Sequence, residues 1–284
     1  MTSVRRRILL TLPLVGPFVW WLAGCAGPKE VPPMPQQATG PKRFVYGEDP
    51  SQYGELSLPG GDPRGVAVVV HGGFWRAAYG IEYAQPLVPS LVEQGWATWA
   101  IEYRRVGSGE GAGGGVPQTL DDVAAALDHL AALHRAGDLP TDPSRVPVVG
   151  IGHSAGGHLV TWAGAGGVLT HVVSQAGVLD LVAGASLGGG AVAAFLGHEP
   201  GPGDADVDPI RMVPLEVPVW CVHAQDDDVV PFAQSQAYVD AATSAGATAE
   251  LRPVRSGGHF TLIDPDSEAW SATLEHLDTI TQRT

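Results

Sequence analysis

The stretch Val146-Pro-Val-Val-Gly-Ile-Gly152-His-Ser154-Ala-Gly156-Gly-His-Leu-Val-Thr-Trp162 decides the fold. Residues 146–151 form an apolar run rich in β-branched side chains, the composition of a strand covered on both faces. G-x-S-x-G follows at once, and a helical pattern over 155–165 follows that. A serine in so short a strand-to-helix passage is turned outward, and glycine on either side lets neighbouring backbone pass where a Cβ would block it. The start of the helix behind it favours negative charge developing nearby. Ser154 is therefore the candidate nucleophile, against the plain alternative of a Gly-Ser turn.

Outward from this stretch the alternation repeats. Residues 66–70, 97–101, 171–174 and 217–222 are further short apolar runs that read as strands. Residues 119–133 place apolar side chains at 120, 123, 127, 130 and 133, one face of a helix. Helices are also predicted over 232–245 and 267–281. This order implies an α/β fold with a mostly parallel central sheet and helices on both faces. Residues 44–46 and 54–58 read as an antiparallel hairpin at the sheet edge. The interval 178–214, mostly Gly, Ala, Pro and Asp, breaks the alternation and reads as a small cap over the C-terminal edge of the sheet. Gly107 to Gly115 lacks the Gly-Lys-Ser/Thr that would make it a phosphate cradle, so it reads as a mobile loop.

A length of 284 residues, 44% of them hydrophobic and 16% charged, suffices for one large core. Sixteen basic against 30 acidic residues give −14, which excludes nucleic-acid binding through a general electrostatic field. Two cysteines, Cys25 and Cys221, cannot build a disulfide framework or a Cys-rich zinc site. Cys221 lies in an apolar strand and reads as a small buried hydrophobe. No His-Glu-x-x-His or paired Asp/His spacing is present, so neither a catalytic metal nor a cofactor is expected.

The N-terminus reads as an address. Arg5, Arg6 and Arg7 precede an apolar stretch over 8–22 that is interrupted by Pro13 and Pro17 and is short for a membrane span, which needs roughly 20 residues. Leu22-Ala-Gly-Cys25 resembles the lipobox of bacterial lipoproteins, which implies cleavage after residue 24 and lipid on Cys25. Arg6-Arg7-Ile-Leu-Leu10 also resembles a twin-arginine export signal, so both export routes stay open. Removal of 1–24 takes three arginines and shifts the net charge from −14 to −17. Residues 25–41, with five prolines, read as an extended tether, and the globular domain is expected over 42–284. The expected location is the extracytoplasmic side of a bacterial membrane, with acyl chains as the anchor.

A serine hydroxyl is a weak nucleophile without a base. Of ten histidines, His259 in Ser256-Gly-Gly-His-Phe260 sits in a glycine-rich loop between an apparent strand and the last helix. His129, His134 and His276 belong to helices, and His153 faces away from Ser154 within its turn. The base needs an acid partner, and Asp226, Asp227 and Asp228 follow the strand ending at His223. Asp180, after the strand at 171–174, is another candidate.

From about residue 44 to 284 the chain resembles the α/β-hydrolases of the esterase/lipase type. His71-Gly-Gly-Phe-Trp75 and Gly152-His-Ser-Ala-Gly-Gly-His158 are similar to kynurenine formamidases and to acetylxylan/feruloyl esterases. The resemblance implies a catalytic order Ser154, Asp227, His259, with the acid four residues before Pro231. It also implies an oxyanion hole from the amides of Gly73, Phe74 and Ala155. Trp75 and Trp99 read as core or as pocket lining. The expected activity is cleavage of a small-molecule carboxylic ester through an acyl-enzyme. The alternatives are hydrolysis of an arylformamide with the same machinery, and an inactive lipid-anchored binding module.

Overall fold

The computed structural model describes residues 38–280. The expected signal segment, Cys25, residues 25–37 of the expected tether and the last four residues lie outside the described part. Among the described residues, no helix is long and apolar enough to cross a membrane.

Eight strands form one sheet: β1 (Thr39–Val45), β2 (Tyr53–Leu58), β3 (Gly65–Val70), β4 (Trp96–Ile101), β5 (Val148–His153), β6 (His171–Gln175), β7 (Val219–Ala224) and β8 (Ala249–Val254). Their spatial order is β1-β2-β4-β3-β5-β6-β7-β8. β1 and β2 pair antiparallel, β2 pairs antiparallel with β4, and every later pair is parallel. The antiparallel hairpin therefore forms one edge, as the sequence predicts. β1 begins at Thr39, so its first residues fall within the segment read as tether.

Among the described residues the six α-helices are α1 (Val88–Glu93), α2 (Gln118–Ala136), α3 (Ala155–Ala163), α4 (Ala191–Leu196), α5 (Ala233–Ser244) and α6 (Glu268–Asp278). The two-residue period of the strands sorts the core into two layers. Val66, Val68 and Val70 share one cluster with residues of α2, α3 and α5, whereas Ala67 and Val69 pack with residues of α1 and α6. Each fully buried leucine, such as Leu91 on one face and Leu130 on the other, contributes about 2 kcal/mol by leaving water. Helix α1 escaped the sequence reading because six residues are too few to establish a period.

Between β6 and β7, residues 178–214 hold α4 and short 3-10 turns in place of a regular crossover. Phe195 of α4 stacks on Trp75 with ring centroids 4.6 Å apart, and His158 Nε2 donates to the Val207 carbonyl at 2.8 Å. Trp75 and Trp99 are both fully buried, which settles them as core. Gly107 to Gly115 folds back on the β4 exit: the Arg105 amide donates to Gly111 O at 2.7 Å and the Gly114 amide to Arg105 O at 2.8 Å. Arg104 grips the buried Asp122 of α2 with Nε at 2.9 Å and Nη2 at 2.6 Å, fixing where that loop begins.

Candidate active site

β5 is buried along its length and delivers the chain to α3 with one residue, Ser154, between them. Ser154 has φ 56 and ψ −118, a region that costs a non-glycine residue about 1–3 kcal/mol. Its surroundings hold it there: the Ser154 amide donates to Gln175 O at 2.8 Å, and its carbonyl accepts from His158 N at 3.1 Å. A Cβ on Gly156 would strike the carbonyls of Val70 and His71, and one on Gly152 would strike Gly156. Both motif glycines are thus demanded by close backbone contact.

His259 opens a short 3-10 turn, 259–263, after Gly257 and Gly258, both at positive φ. Asp226 draws the Gly257 and Gly258 amides onto its carboxylate at 3.2 and 2.9 Å, which ties this loop to the end of β7. His153 supports it from behind. Its Nε2 donates to the His259 carbonyl at 2.9 Å, and the two rings lie 4.4 Å apart. Burial, and then the neighbouring His259, push the His153 imidazole down to about 3, so it is a neutral donor at pH 7.

Asp227 receives His259 Nδ1 at 2.7 Å on Oδ2, and the amides of Val229 and Val230 at 2.9 and 2.8 Å on Oδ1. The buried His223 stands at 3.3 Å from the same Oδ2, and its Nδ1 lies 2.8 Å from Ser235 Oγ. Burial alone would raise the Asp227 pKa. The hydrogen bonds from His223 and His259 outweigh it and hold the carboxyl well below the usual carboxylate range. Of the acids considered, Asp227 is the one that meets His259. Asp180 accepts the Ala183 amide at 2.8 Å in a local turn.

The loop after β3 carries three consecutive residues at positive φ: Gly73 (108), Phe74 (54) and Trp75 (53). Successive amides in such a loop form a concavity suited to an anion. Burial of Trp75 and hydrogen bonds from Arg76 N to Gly73 O (3.0 Å) and from Val106 N to Trp75 O (2.7 Å) hold this conformation. Ala155 is the first residue of α3, where an amide has no partner within the helix.

Gly73, Phe74, Ser154 and His259 border one cavity of about 50 Å³, walled further by Tyr79, Tyr83, Val229 and Phe260. Among the described residues, no hydrogen bond reaches the Ser154 hydroxyl. Such bonds are commonly long in unliganded sites and tighten around substrate. A larger groove, about 380 Å³ beside Trp162 and Met212, contains none of these groups. His153, His223 and Asp226 were not assigned to the site by sequence. Their support runs through backbone carbonyls, amides and a shared carboxylate, which no linear motif announces.

The sheet order, the strand-to-helix turn at Ser154 and the helices on both faces define an α/β-hydrolase fold. Within it, residues 58–176 match the BD-FAE family model. A truncated carbohydrate esterase from gut microbiota superposes with a TM-score of 0.69 at 20% identity, over 86% of this chain and 96% of its own. An acetyl ester-xyloside bifunctional hydrolase from Caldicellulosiruptor lactoaceticus gives 0.68 at 20%, over 87% and 96%. A thermophilic esterase from the planctomycete Thermogutta terrifontis gives 0.66 at 23%, over 84% and 91%. At these identities the likeness is one of fold. No curated protein sequence matches the chain.

Proposed function

We propose that the protein is a serine hydrolase that cleaves a carboxylic ester of a short acyl group. The observation that carries this reading is the strained Ser154 on the wall of the same cavity as His259, whose Nδ1 is bonded to Asp227 at 2.7 Å. In this reading Ser154 Oγ attacks the carbonyl carbon and His259 takes its proton. Asp227 keeps His259 in the tautomer with hydrogen on Nδ1 and stabilises the imidazolium. The amides of Gly73, Phe74 and Ala155 receive the oxyanion; one such donor is typically worth about 10² to 10³ in rate. His259 then protonates the leaving alcohol, and water, deprotonated by His259, releases the acyl group from Ser154.

The test is a fluorophosphonate probe, whose phosphorus is attacked by an activated serine with loss of fluoride. Stoichiometric labelling on the peptide containing Ser154 is expected. Unlabelled folded protein would instead favour the inactive binding module.

A cavity of about 50 Å³ is far below the roughly 300 Å³ at which drug-sized ligand sites begin. It suits an acyl group of one to three carbons, with Phe74, Tyr79 and Tyr83 as walls. Across nitrophenyl esters, kcat/KM is expected to fall at least 10-fold from acetate to octanoate. A rise along that series would remove the short-acyl part of the proposal.

A further inference from the structure

Glu102 is a buried carboxylate, 5% exposed, that the reaction outlined above does not use. It lies just past β4, directly behind the loop that carries Gly73 and Phe74. Its Oε1 accepts His71 Nε2 at 2.9 Å and the Tyr103 amide at 2.8 Å, and it is ion-paired with Arg105 Nη1. Its Oε2 accepts the Ile81 amide at 3.0 Å. Four donors from three segments of chain converge on one side chain.

The consequence passes through His71. Its ring is fully buried and stacks on Tyr103 at 4.4 Å, and the Tyr103 hydroxyl donates to the His71 carbonyl at 2.8 Å. His71 Nδ1 stands 2.8 Å from the Gly72 carbonyl and donates to it. A trans peptide is planar, so the Gly72 C=O and the Gly73 N–H point in opposite directions. With the carbonyl held toward the His71 ring, the Gly73 amide is turned away from it, on the side where Gly72 and Gly73 border the cavity. The next peptide is fixed in the same way: Arg76 N holds the Gly73 carbonyl, which orients the Phe74 amide.

Both His71 nitrogens face acceptors, so satisfying both takes a proton on each, an imidazolium beside the Glu102 carboxylate. Burial works against charge on this imidazole, and the hydrogen bond to the Gly72 carbonyl works for it. The Glu102 carboxylate, 2.9 Å from Nε2, is the counter-charge for the second proton. An apolar or amide side chain at 102 would let the ring turn, and the Gly72–Gly73 peptide would be free to rotate with it.

The structure assigns Glu102 as a positioning residue that acts through His71 to aim the Gly73 amide at the oxyanion. This deepens the serine-hydrolase reading and rests on it. Arg105 and the glycines that fold over it complete the clamp. A Cβ at Gly111 would overlap the Arg105 guanidinium, and one at Gly114 would overlap the Arg104–Arg105 backbone.

The test compares Glu102→Gln, His71→Phe and the double variant, with rates expressed per site titrated by the fluorophosphonate. Each single variant is expected to lose about 10- to 100-fold in kcat with KM within threefold, because the oxyanion forms only after binding. Affinity for a trifluoromethyl ketone, whose adduct carries that oxyanion, is expected to drop by the same factor. The double variant is expected to be no slower than the slower single, since both act on one peptide. A Glu102→Gln enzyme with kcat within twofold of the parent would overturn the assignment. So would a loss confined to KM, or losses that multiply in the double variant. If Glu102→Gln does not fold, His71→Phe with its analogue affinity decides alone: unchanged affinity overturns the proposal. Failure of the parent protein to react with the fluorophosphonate is a separate result and refutes the serine-hydrolase reading instead.

Discussion

Ser154→Ala is expected to abolish ester hydrolysis while leaving the protein folded. Removal of the nucleophile from a triad of this kind costs on the order of 10⁶ in kcat, because base and acid have nothing left to activate. The residual rate comes from binding and from the oxyanion amides, which the change does not touch. Alanine gains little from the site's geometry, since a Cβ at φ 56 is as strained in alanine as in serine. The melting temperature should therefore stay close to that of the parent. Turnover of nitrophenyl acetate within tenfold of the parent would end the assignment of Ser154, whatever the probe reports.

Asp227→Asn should reduce kcat by about 10⁴ and change acid stability as well. The amide NH₂ would face His259 Nδ1–H at the 2.7 Å contact, so the ring would turn over or take the other tautomer, leaving Nε2 unable to accept the serine proton. A second effect follows from the depressed Asp227 pKa. A carboxylate held below its unfolded value, about 3.9, stabilises the fold fully above that pH and loses this contribution as pH falls toward the depressed value. The stability gap between parent and Asp227→Asn should be constant from pH 5 to 8 and should narrow below about pH 4. Melting curves across that range check the sign. A gap that widened in acid would mean that Asp227 is not the ionised partner of His259.

Local spacing carried much of this architecture. β5, the turn at Ser154 and α3 were legible because a β-branched run, a glycine-flanked serine and a helical period lie side by side within 146–165. The helix over 119–133 was legible from its apolar face and extends in the structure to Gln118–Ala136. His259 stood out because its loop has glycines at 257 and 258, positions that prove to need positive φ. Asp227 was less legible. Three aspartates in a row satisfy any pattern equally, and only the fold shows that Asp226 binds the Gly257–Gly258 amides while Asp227 turns inward to His259.

The left-handed run at Gly73, Phe74 and Trp75 could not be read from composition, because two of those residues rarely adopt positive φ. It is imposed by the burial of Trp75 against Phe195, 120 positions further along the chain. His153, His223 and Glu102 are cases of the same kind. Short-range chemistry along the polymer suffices to set strand, turn and helix, because steric limits and hydrophobic period act over a few residues. Which buried carboxylate meets which imidazole depends on contacts between segments that share no local signal. Those contacts exist only once the sheet has brought the ends of β3, β4, β5 and β7 together.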